Sequence, residues 1–262
     1  MVAIYPERQS RAARWSRRSA IFAVVLFVVA GATHRFGRID PETFLMVLGV
    51  VAGLILLSLL CFLLAFHRMW TRGDKVGTDL VVAGFFLVIA LIPVGVLSHR
   101  ALTRPMLHDI STDTENRPLL SPVRNPTAAM NVPRAMTADE AEEQLAAYPT
   151  VIGHSYALAP ERMRQIIVGM VEDRGWQIVR PFPEVSGPAA TLNVVAGSFL
   201  VGFPSDVAIR VADEETSTYV DMRSASRYGR HDLGDNATRI ERFFDDLDAA
   251  VLAEAAMPQV SQ

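Results

Sequence analysis

The stretch "DVAIRVADEETSTYVDMRSAS", Asp206 to Ser226, has the pattern of a β-hairpin. Apolar side chains occupy alternate positions on both sides of its centre: Val207, Ile209, Val211, Val220 and Met222. This period of two is typical of strands with one buried face, and the polar run from Asp213 to Ser217 favours a turn. The hairpin predicts that the sheet of this protein is antiparallel.

The register of this hairpin decides which charged residues face each other. If Val211 pairs with Thr218, Asp206 lies opposite Arg223 on the outward face of the sheet. Such a cross-strand ion pair contributes about 0.2–1 kcal/mol and helps to fix the register.

Helices are predicted on both sides of the hairpin. The segment "APERMRQIIVGMVEDRGW", Ala159 to Trp176, begins with Pro160 and can end at Gly175. Its apolar residues form one stripe: Met163, Ile166, Ile167, Met170 and Val171. A last helix runs from about Asn236 to Ala255, again with one apolar face.

Shorter elements complete the globular part, which we assign to residues 137–256. Thr137 and Glu140 form a capping-box pattern ahead of a helix from Ala138 to Ala147. Strands are predicted from Trp176 to Arg180 and, as one or two strands, from Thr191 to Phe203. Together the elements predict an α+β domain, with an antiparallel sheet of four or five strands and two main helices. Residues 257–262 form a tail.

The proline-rich segment 99–136 is predicted to be extended, without strand or helix. Within it, "HDISTDTE" holds several side-chain oxygens close together: Asp109, Ser111, Thr112, Asp113 and Glu115. These oxygens form either a ligand cluster or, the interpretation we favour, consecutive turns that bond to the backbone.

Three apolar runs between residues 19 and 98 have the length of membrane spans, at about 19–35, 43–66 and 79–97. The first is short and follows an arginine-rich stretch, residues 1–18, so it also resembles a cleaved signal peptide ending near residue 32. We favour a retained span. None of the runs carries a charged residue or histidine in its middle, which argues against a transporter.

Positive charge near the span ends predicts the orientation. Five arginines precede the first span, and Arg68, Arg72 and Lys75 lie between the second and third. The other side has fewer cations: Arg35, Arg38, Arg100 and Arg104. We therefore expect a multi-pass protein of a bacterial inner membrane, with the N-terminus in the cytoplasm and the C-terminal domain in the periplasm.

Composition excludes several classes of function. Beyond His99 the chain has 15 arginines, no lysine and 23 acidic residues, so this part is too acidic to be expected to bind nucleic acid. The single cysteine, Cys61, allows no disulfide within the chain. The six histidines form no close-spaced pair in the globular part, so we predict no metal site and no cofactor.

A hydrolase is one candidate function. Ser224 or Ser226 would be the nucleophile, His231 the base, and Asp232 or Asp235 the residue that orients the base. Against this, no Gly-x-Ser-x-Gly elbow is present, strand alternation turns both serines toward the core, and neighbouring residues such as His231 and Asp232 usually point apart.

An anion-binding site is the other candidate. Arg223 and Arg227 lie on one strand face, Arg230 follows, and a helix that starts beyond Gly234 offers backbone N–H groups with Asn236 as its cap. This arrangement suits a carboxylate, a phosphate or a lipid head group. The alternative is that neighbouring acids already neutralise the arginines: Asp206, Asp221, Asp232 and Asp235.

Three motifs resemble the bacterial membrane proteins of the domain of unknown function 1499 family: "HDISTDTENRP" from His108, "FLVGFPSDVAIRV" from Phe199, and "DMRSASRYGRHDLGDNATRI" from Asp221. The resemblance covers most of residues 108–247. The family pattern falls on Gly202, Phe203, Asp206, Val207, Arg223, Ser224, Ser226, Arg227, Gly229, Asp232, Leu233, Gly234, Asn236, Ala237, Arg239 and Ile240. Ser205 departs from it, since the family often has an acidic pair there. The resemblance implies no activity.

The sequence therefore favours a membrane-anchored protein whose extracytoplasmic domain is a binding or interaction module, and we do not expect an enzyme. Its expected partners are the lipid bilayer and either an envelope protein or an anionic amphiphile. A tethered hydrolase that uses Ser226 and His231 is the alternative.

Overall fold

The computed structural model describes residues 10–122, 126–184, 187–198 and 201–256. The chain divides into two compact units, Met1–His99 and Arg100–Gln262. The predicted tail, residues 1–9 of the arginine-rich N-terminus, and Phe199 and Leu200 of the predicted strand region lie outside the described residues.

Three long helices account for most of the first unit. They are α1 (Arg11–Arg35), α2 (Pro41–Arg72) and α3 (Gly77–Thr103), and each is long and apolar enough to cross a membrane. The carboxylate of Asp40 accepts the N–H of Thr43 at the start of α2, and Gly73 ends α2 with a φ of 66°.

Small residues let α1 and α2 approach closely. Ser16 and Ser58 bond reciprocally, since each hydroxyl donates to the other residue's carbonyl oxygen at 2.9 Å. Ala20 and Ala23 of α1 are fully buried in the same interface. Such small-residue contacts with interhelical hydrogen bonds are how helices associate in a bilayer, where the hydrophobic effect is absent.

The described residues of the second unit form an antiparallel sheet of six strands. They are β1 (Asp109–Ser111), β2 (His154–Tyr156), β3 (Gln177–Arg180), β4 (Ala189–Gly197), β5 (Pro204–Asp213) and β6 (Thr218–Ser226). The order is β1-β6-β5-β4-β3, and β2 also pairs with β6. The predicted α+β class with an antiparallel sheet is confirmed.

Three helices accompany the sheet: α4 (Ala138–Ala147), α5 (Pro160–Asp173) and α6 (Asp235–Ala256). Both residues of the predicted capping box, Thr137 and Glu140, make their expected bonds. α5 and α6 bury their apolar stripes against one face of the sheet. The opposite face, here called the outer face, carries the charged residues of β5 and β6.

The prediction that segment 99–136 contains no strand or helix is wrong in two places. α3 continues to Thr103, and Asp109–Ser111 forms β1 beside β6. A three-residue strand is too short to show a period, and tertiary contacts hold it in place. The buried side chain of Gln144 bonds to both the N–H and the carbonyl of Ser111, at 3.1 and 2.7 Å. β2, equally short, was also not predicted.

The predicted hairpin register is also wrong, by two residues. Val211 pairs with Val220, so Asp206 lies opposite Ala225, and Arg223 lies opposite Ala208. The reason is a tighter turn, because the ladder extends to the pair Asp213–Thr218 and leaves only four residues to connect the strands.

Candidate functional site

The β6–α6 junction brings together most of the residues that the sequence singled out. Ser224 points from β6 toward α6, on the same face as Met222, and is completely buried. Arg223 points to the outer face. Ser224 therefore lies on the helix-covered face of the sheet, whereas Arg223 lies on the outer face.

A buried polar cluster, consisting of Ser224, Ser226, Asn236 and Arg239, joins β6 to α6. The Ser224 hydroxyl donates to Asn236 Oδ1 at 2.8 Å, and Arg239 Nη1 donates to the same Oδ1 at 2.6 Å and to Ser224 Oγ at 2.9 Å. Asn236 Nδ2 donates to the carbonyl of His108 at 2.9 Å and to Ser226 Oγ at 3.0 Å. The Asn236 amide thus ties together α6, β6 and the residue that precedes β1.

Arg239 is the cation of this cluster, and the groups to which it donates, the Ser224 hydroxyl and the Asn236 amide oxygen, are neutral. Burial lowers the pKa of its guanidinium, while the charges of Asp235 and Asp232 act in the opposite direction from farther away. A buried charge that bonds only to hydroxyl and amide oxygens depends on those partners being in place. We interpret the cluster as a structural joint.

The start of α6 is capped by Asp232 and not by Asn236, so the predicted cap is wrong. The Asp232 carboxylate accepts the N–H groups of Gly234 at 3.0 Å and Asn236 at 2.8 Å. Because the helix begins at Asp235, Asn236 lies inside its first turn with its side chain turned toward β6. Burial raises the pKa of Asp232, although the two N–H bonds oppose the shift.

The anion position that we predicted at this helix end is therefore already taken by a carboxylate of the chain itself. The N–H groups at the start of α6 donate to the Asp232 carboxylate, and the helix dipole stabilises its negative charge.

The structure does not assemble the predicted triad. His231 Nδ1 accepts the N–H of Leu233 at 3.0 Å, and its Nε2 is buried without a hydrogen-bond partner among the described residues. The recorded side-chain bonds of Ser224 and Ser226 go to Asn236 and Arg239, and none goes to a histidine. Neither serine therefore forms the nucleophile–base pair with His231 that a hydrolase would need.

Two of the three predicted arginines are paired on the outer face. Arg223 binds Asp109 at 3.0 and 2.7 Å, and Arg227 binds Asp206 at 2.6 Å. Arg230 is exposed and has no recorded partner in the described part of the chain.

Sequence reasoning missed Asp109 as an ion-pair centre. Its carboxylate binds both Arg223 and Arg117, and burial lowers the pKa of Arg117. By contrast, Asp113 behaves as the turn interpretation predicted, because its Oδ1 accepts the N–H groups of Glu115 and Asn116. The motif "HDISTDTENRP" was the available signal, but only the β1–β6 pairing brings Asp109 to Arg223.

The chain from Thr112 to Pro122 crosses part of the outer face. The carbonyl of Pro118 accepts from Arg223 on β6, and that of Asn116 accepts from Arg210 on β5. The N–H of Ser121 donates to Asn193 on β4 at 2.7 Å. This crossing segment covers the charged ladder of β5 and β6 and leaves the β3–β4 end of the face less covered.

At that end lies a groove with a cavity volume of about 360 Å³. Apolar and polar residues both line it: Met130, Ile178, Val179, Val194 and Val195 among the apolar, and Gln177, Asn193, Asp206 and Arg227 among the polar. The volume lies within the range of small-molecule sites. Arg180 lies next to the groove, since it pairs with Asn193 across β3 and β4, and it is exposed without a recorded partner among the described residues.

Comparison with family models identifies residues 109–247 as a match to DUF1499, a protein family of unknown function. The chain belongs to the DUF1499 family. No curated protein and no solved structure matches it. The DUF1499 match spans the buried polar cluster, the Asp109 ion pairs and the groove lining. Of the motif residues, Ser224, Ser226, Asn236 and Arg239 join β6 to α6, and Arg223, Arg227 and Asp206 form ion pairs on the outer face.

The described residues contain no group of three or more His, Cys, Asp or Glu side chains arranged to hold a metal ion. Among the described residues of this unit, the groove on the outer face has a shape that suits a ligand.

Proposed function

We propose that this protein is a membrane-anchored, non-enzymatic binding module, and that the groove on the outer face is its binding site. The observation that carries the proposal is a 360 Å³ cavity lined by apolar and polar residues, with the exposed Arg180 beside Asn193 on the neighbouring strand. Ligand sites are concave and place a few polar groups against the ligand, and in this groove the exposed lining is more polar than apolar.

The chemistry of the groove favours an anionic amphiphile. Val179 and Val195 offer apolar contact, and the amide of Asn193 offers hydrogen bonding. Arg227 is neutralised by Asp206, so the uncompensated charge beside the groove is that of Arg180, which pairs with Asn193 across β3 and β4. An alkyl chain with a phosphate or carboxylate head complements this pattern.

We also propose a location. The protein is a multi-pass protein of a bacterial inner membrane, with α1 retained, the N-terminus in the cytoplasm and the second unit in the periplasm. The distribution of positive charge supports the orientation. The reciprocal Ser16–Ser58 bonds support a retained α1, because a cleaved signal would not need a fitted interface with α2.

Cysteine labelling tests the location. In a Cys61→Ala background, Thr216→Cys and Thr71→Cys, both at exposed positions, are tested in turn with a membrane-impermeant maleimide in intact cells. We expect labelling at position 216 and none at position 71 until the cells are opened. The reverse pattern would contradict the orientation.

Titration of the full-length protein with hexyl phosphate tests the groove. Val195→Trp fills the cavity, and we expect it to weaken binding at least tenfold. Ala189→Trp is the matched control, because Ala189 lies on the same strand, is exposed and does not line the groove. Equal affinities of Val195→Trp and the wild type would refute the groove as the site.

A further inference from the structure

Positive charge is concentrated at one end of the first unit, where α1 begins and α2 ends. Five exposed arginines lie there: Arg11, Arg14 and Arg18 on α1, and Arg68 and Arg72 on α2. The helices meet at this end, since Ala13, Ala65 and Leu80 pack together in one apolar cluster. We call these five arginines the basic collar.

The collar is not neutralised within the described part of the chain. Arg17, beside it, binds Asp79 at 2.7 Å. None of the five collar arginines has a recorded acidic partner among the described residues. A set of uncompensated guanidinium groups at one level of a helical unit requires anions from elsewhere or remains solvated.

The other end of the same helix pair differs. There Arg35 and Arg38 are matched by Asp40 and Glu42 within a few residues. Arginines without nearby acidic residues are therefore found at the collar end of the helix pair and not at the opposite end.

On α1, the collar arginines continue the exposed apolar stripe. Arg11, Arg14 and Arg18 are spaced i, i+3 and i+7, and the same face goes on to Phe22 and Val25, which are 55% and 50% exposed. The face therefore changes from guanidinium to hydrocarbon between Arg18 and Phe22.

The same change occurs on α2. Leu60, Leu64, Arg68 and Arg72 follow at intervals of four, so one face passes from exposed leucines to exposed arginines. Two exposed indoles lie at this level, Trp15 (59%) and Trp70 (81%). Tryptophan and arginine at the edge of an apolar band are typical of the depth of the lipid head groups.

We propose that the basic collar binds the phosphate groups of anionic phospholipids. The occupant is a lipid, because each arginine stripe is continuous with the apolar stripe that faces acyl chains, so a single molecule can satisfy both parts. The guanidinium fork matches two phosphate oxygens at once. This inference concerns the first unit alone and does not depend on the groove.

Lipid retention by the purified full-length protein tests the proposal. The protein is exchanged into vesicles of phosphatidylcholine with an equal amount of phosphatidylglycerol, extracted, and the two bound lipids are quantified by native mass spectrometry. We expect the wild type to enrich phosphatidylglycerol. Arg11→Gln, Arg14→Gln and Arg18→Gln together reduce this preference by about fivefold per arginine at low salt.

Two further variants make the result interpretable. Arg68→Gln with Arg72→Gln probes the other stripe and reduces the preference even if the α1 variant folds poorly. Arg35→Gln with Arg38→Gln removes two charges at the opposite end and leaves the preference unchanged. Retention of phosphatidylglycerol by both collar variants at the wild-type level, or an equal loss in the control, would overturn the proposal.

Discussion

The guanidinium of Arg227 lies 2.6 Å from the carboxylate of Asp206, and both residues line the groove on the outer face of the sheet. Their side chains are mostly buried, at 17% and 14% exposure. Each charge therefore stabilises the other in a partly desolvated position. As long as the pair is intact, Asp206 neutralises the positive charge that Arg227 would bring to the groove.

Asp206→Asn should strengthen the binding of hexyl phosphate. Removal of the carboxylate frees the charge of Arg227, and a new charge-assisted contact of about 1 kcal/mol gives roughly fivefold tighter binding. The fold should lose about 2 kcal/mol, because one partner of a largely buried pair is gone. Calorimetric titration measures the first effect. Asp173→Asn, an exposed acid at the end of α5, is the control, and unchanged affinity in Asp206→Asn would argue against an anion site.

Asn236→Ala should destabilise the second unit strongly. The substitution removes partners from Ser224, Arg239 and the carbonyl of His108 at once, and buried polar groups left unpaired cost about 1–3 kcal/mol each before relaxation. We expect a total loss of ~3 kcal/mol in the free energy of unfolding.

Urea unfolding of the full-length protein measures this loss. Trp176 reports on the second unit, because its ring stacks near Phe243 at 6.1 Å, once Trp15 and Trp70 are replaced by phenylalanine. Asn116→Ala is the control, since no side-chain bond of Asn116 is recorded, and it should cost less than 0.5 kcal/mol. A similarly small loss of unfolding free energy in Asn236→Ala would refute the structural role of the buried polar cluster.

Asp232 should give the wild type a stability that depends on pH. Burial raises the pKa of Asp232 in the folded state above its unfolded value. Its contribution is therefore fully present below the unfolded pKa and is lost as the pH rises through the folded pKa. The difference in unfolding free energy between the wild type and Asp232→Asn should accordingly grow as the pH is lowered. A constant or shrinking difference between pH 7 and pH 4 would contradict this.

Glu140 should show the opposite dependence. Its bond with Arg134 and the capping box at Thr137 lower the pKa of Glu140 to about 2. This contribution is present above the ordinary glutamate value and is lost as the pH falls toward 2. Glu140→Gln should cost about 1 kcal/mol at pH 7, a modest value because the pair is partly solvated. The gap to the wild type should close in acid, and a gap that persists at pH 2 would show that charge is not its source.

The sequence was sufficient to predict elements that show a repeated hydrophobic pattern over many residues or follow a local capping rule. The amphipathic helices, the capping box at Thr137 and the hairpin of β5 and β6 were all predicted, because each depends on neighbours in the chain. The three-residue strands were not, since their existence depends on distant partners such as Gln144.

The site was less predictable for the same reason. Asn236 was predicted as the cap from its position alone, whereas α6 begins before it, at Asp235, and the carboxylate of Asp232 accepts the N–H groups at the helix start. The pairing of Arg223 with Asp109 joins residues that are 114 positions apart, which no local pattern indicates.

Hydrogen–deuterium exchange of the full-length protein, with and without saturating hexyl phosphate, tests whether the groove is the binding site. We expect slower exchange in β3 and in the Asn193–Val195 part of β4, with little change in the α6 start around Asp232. Protection that appears at the α6 start instead, or no protection in β3 and β4, would contradict it.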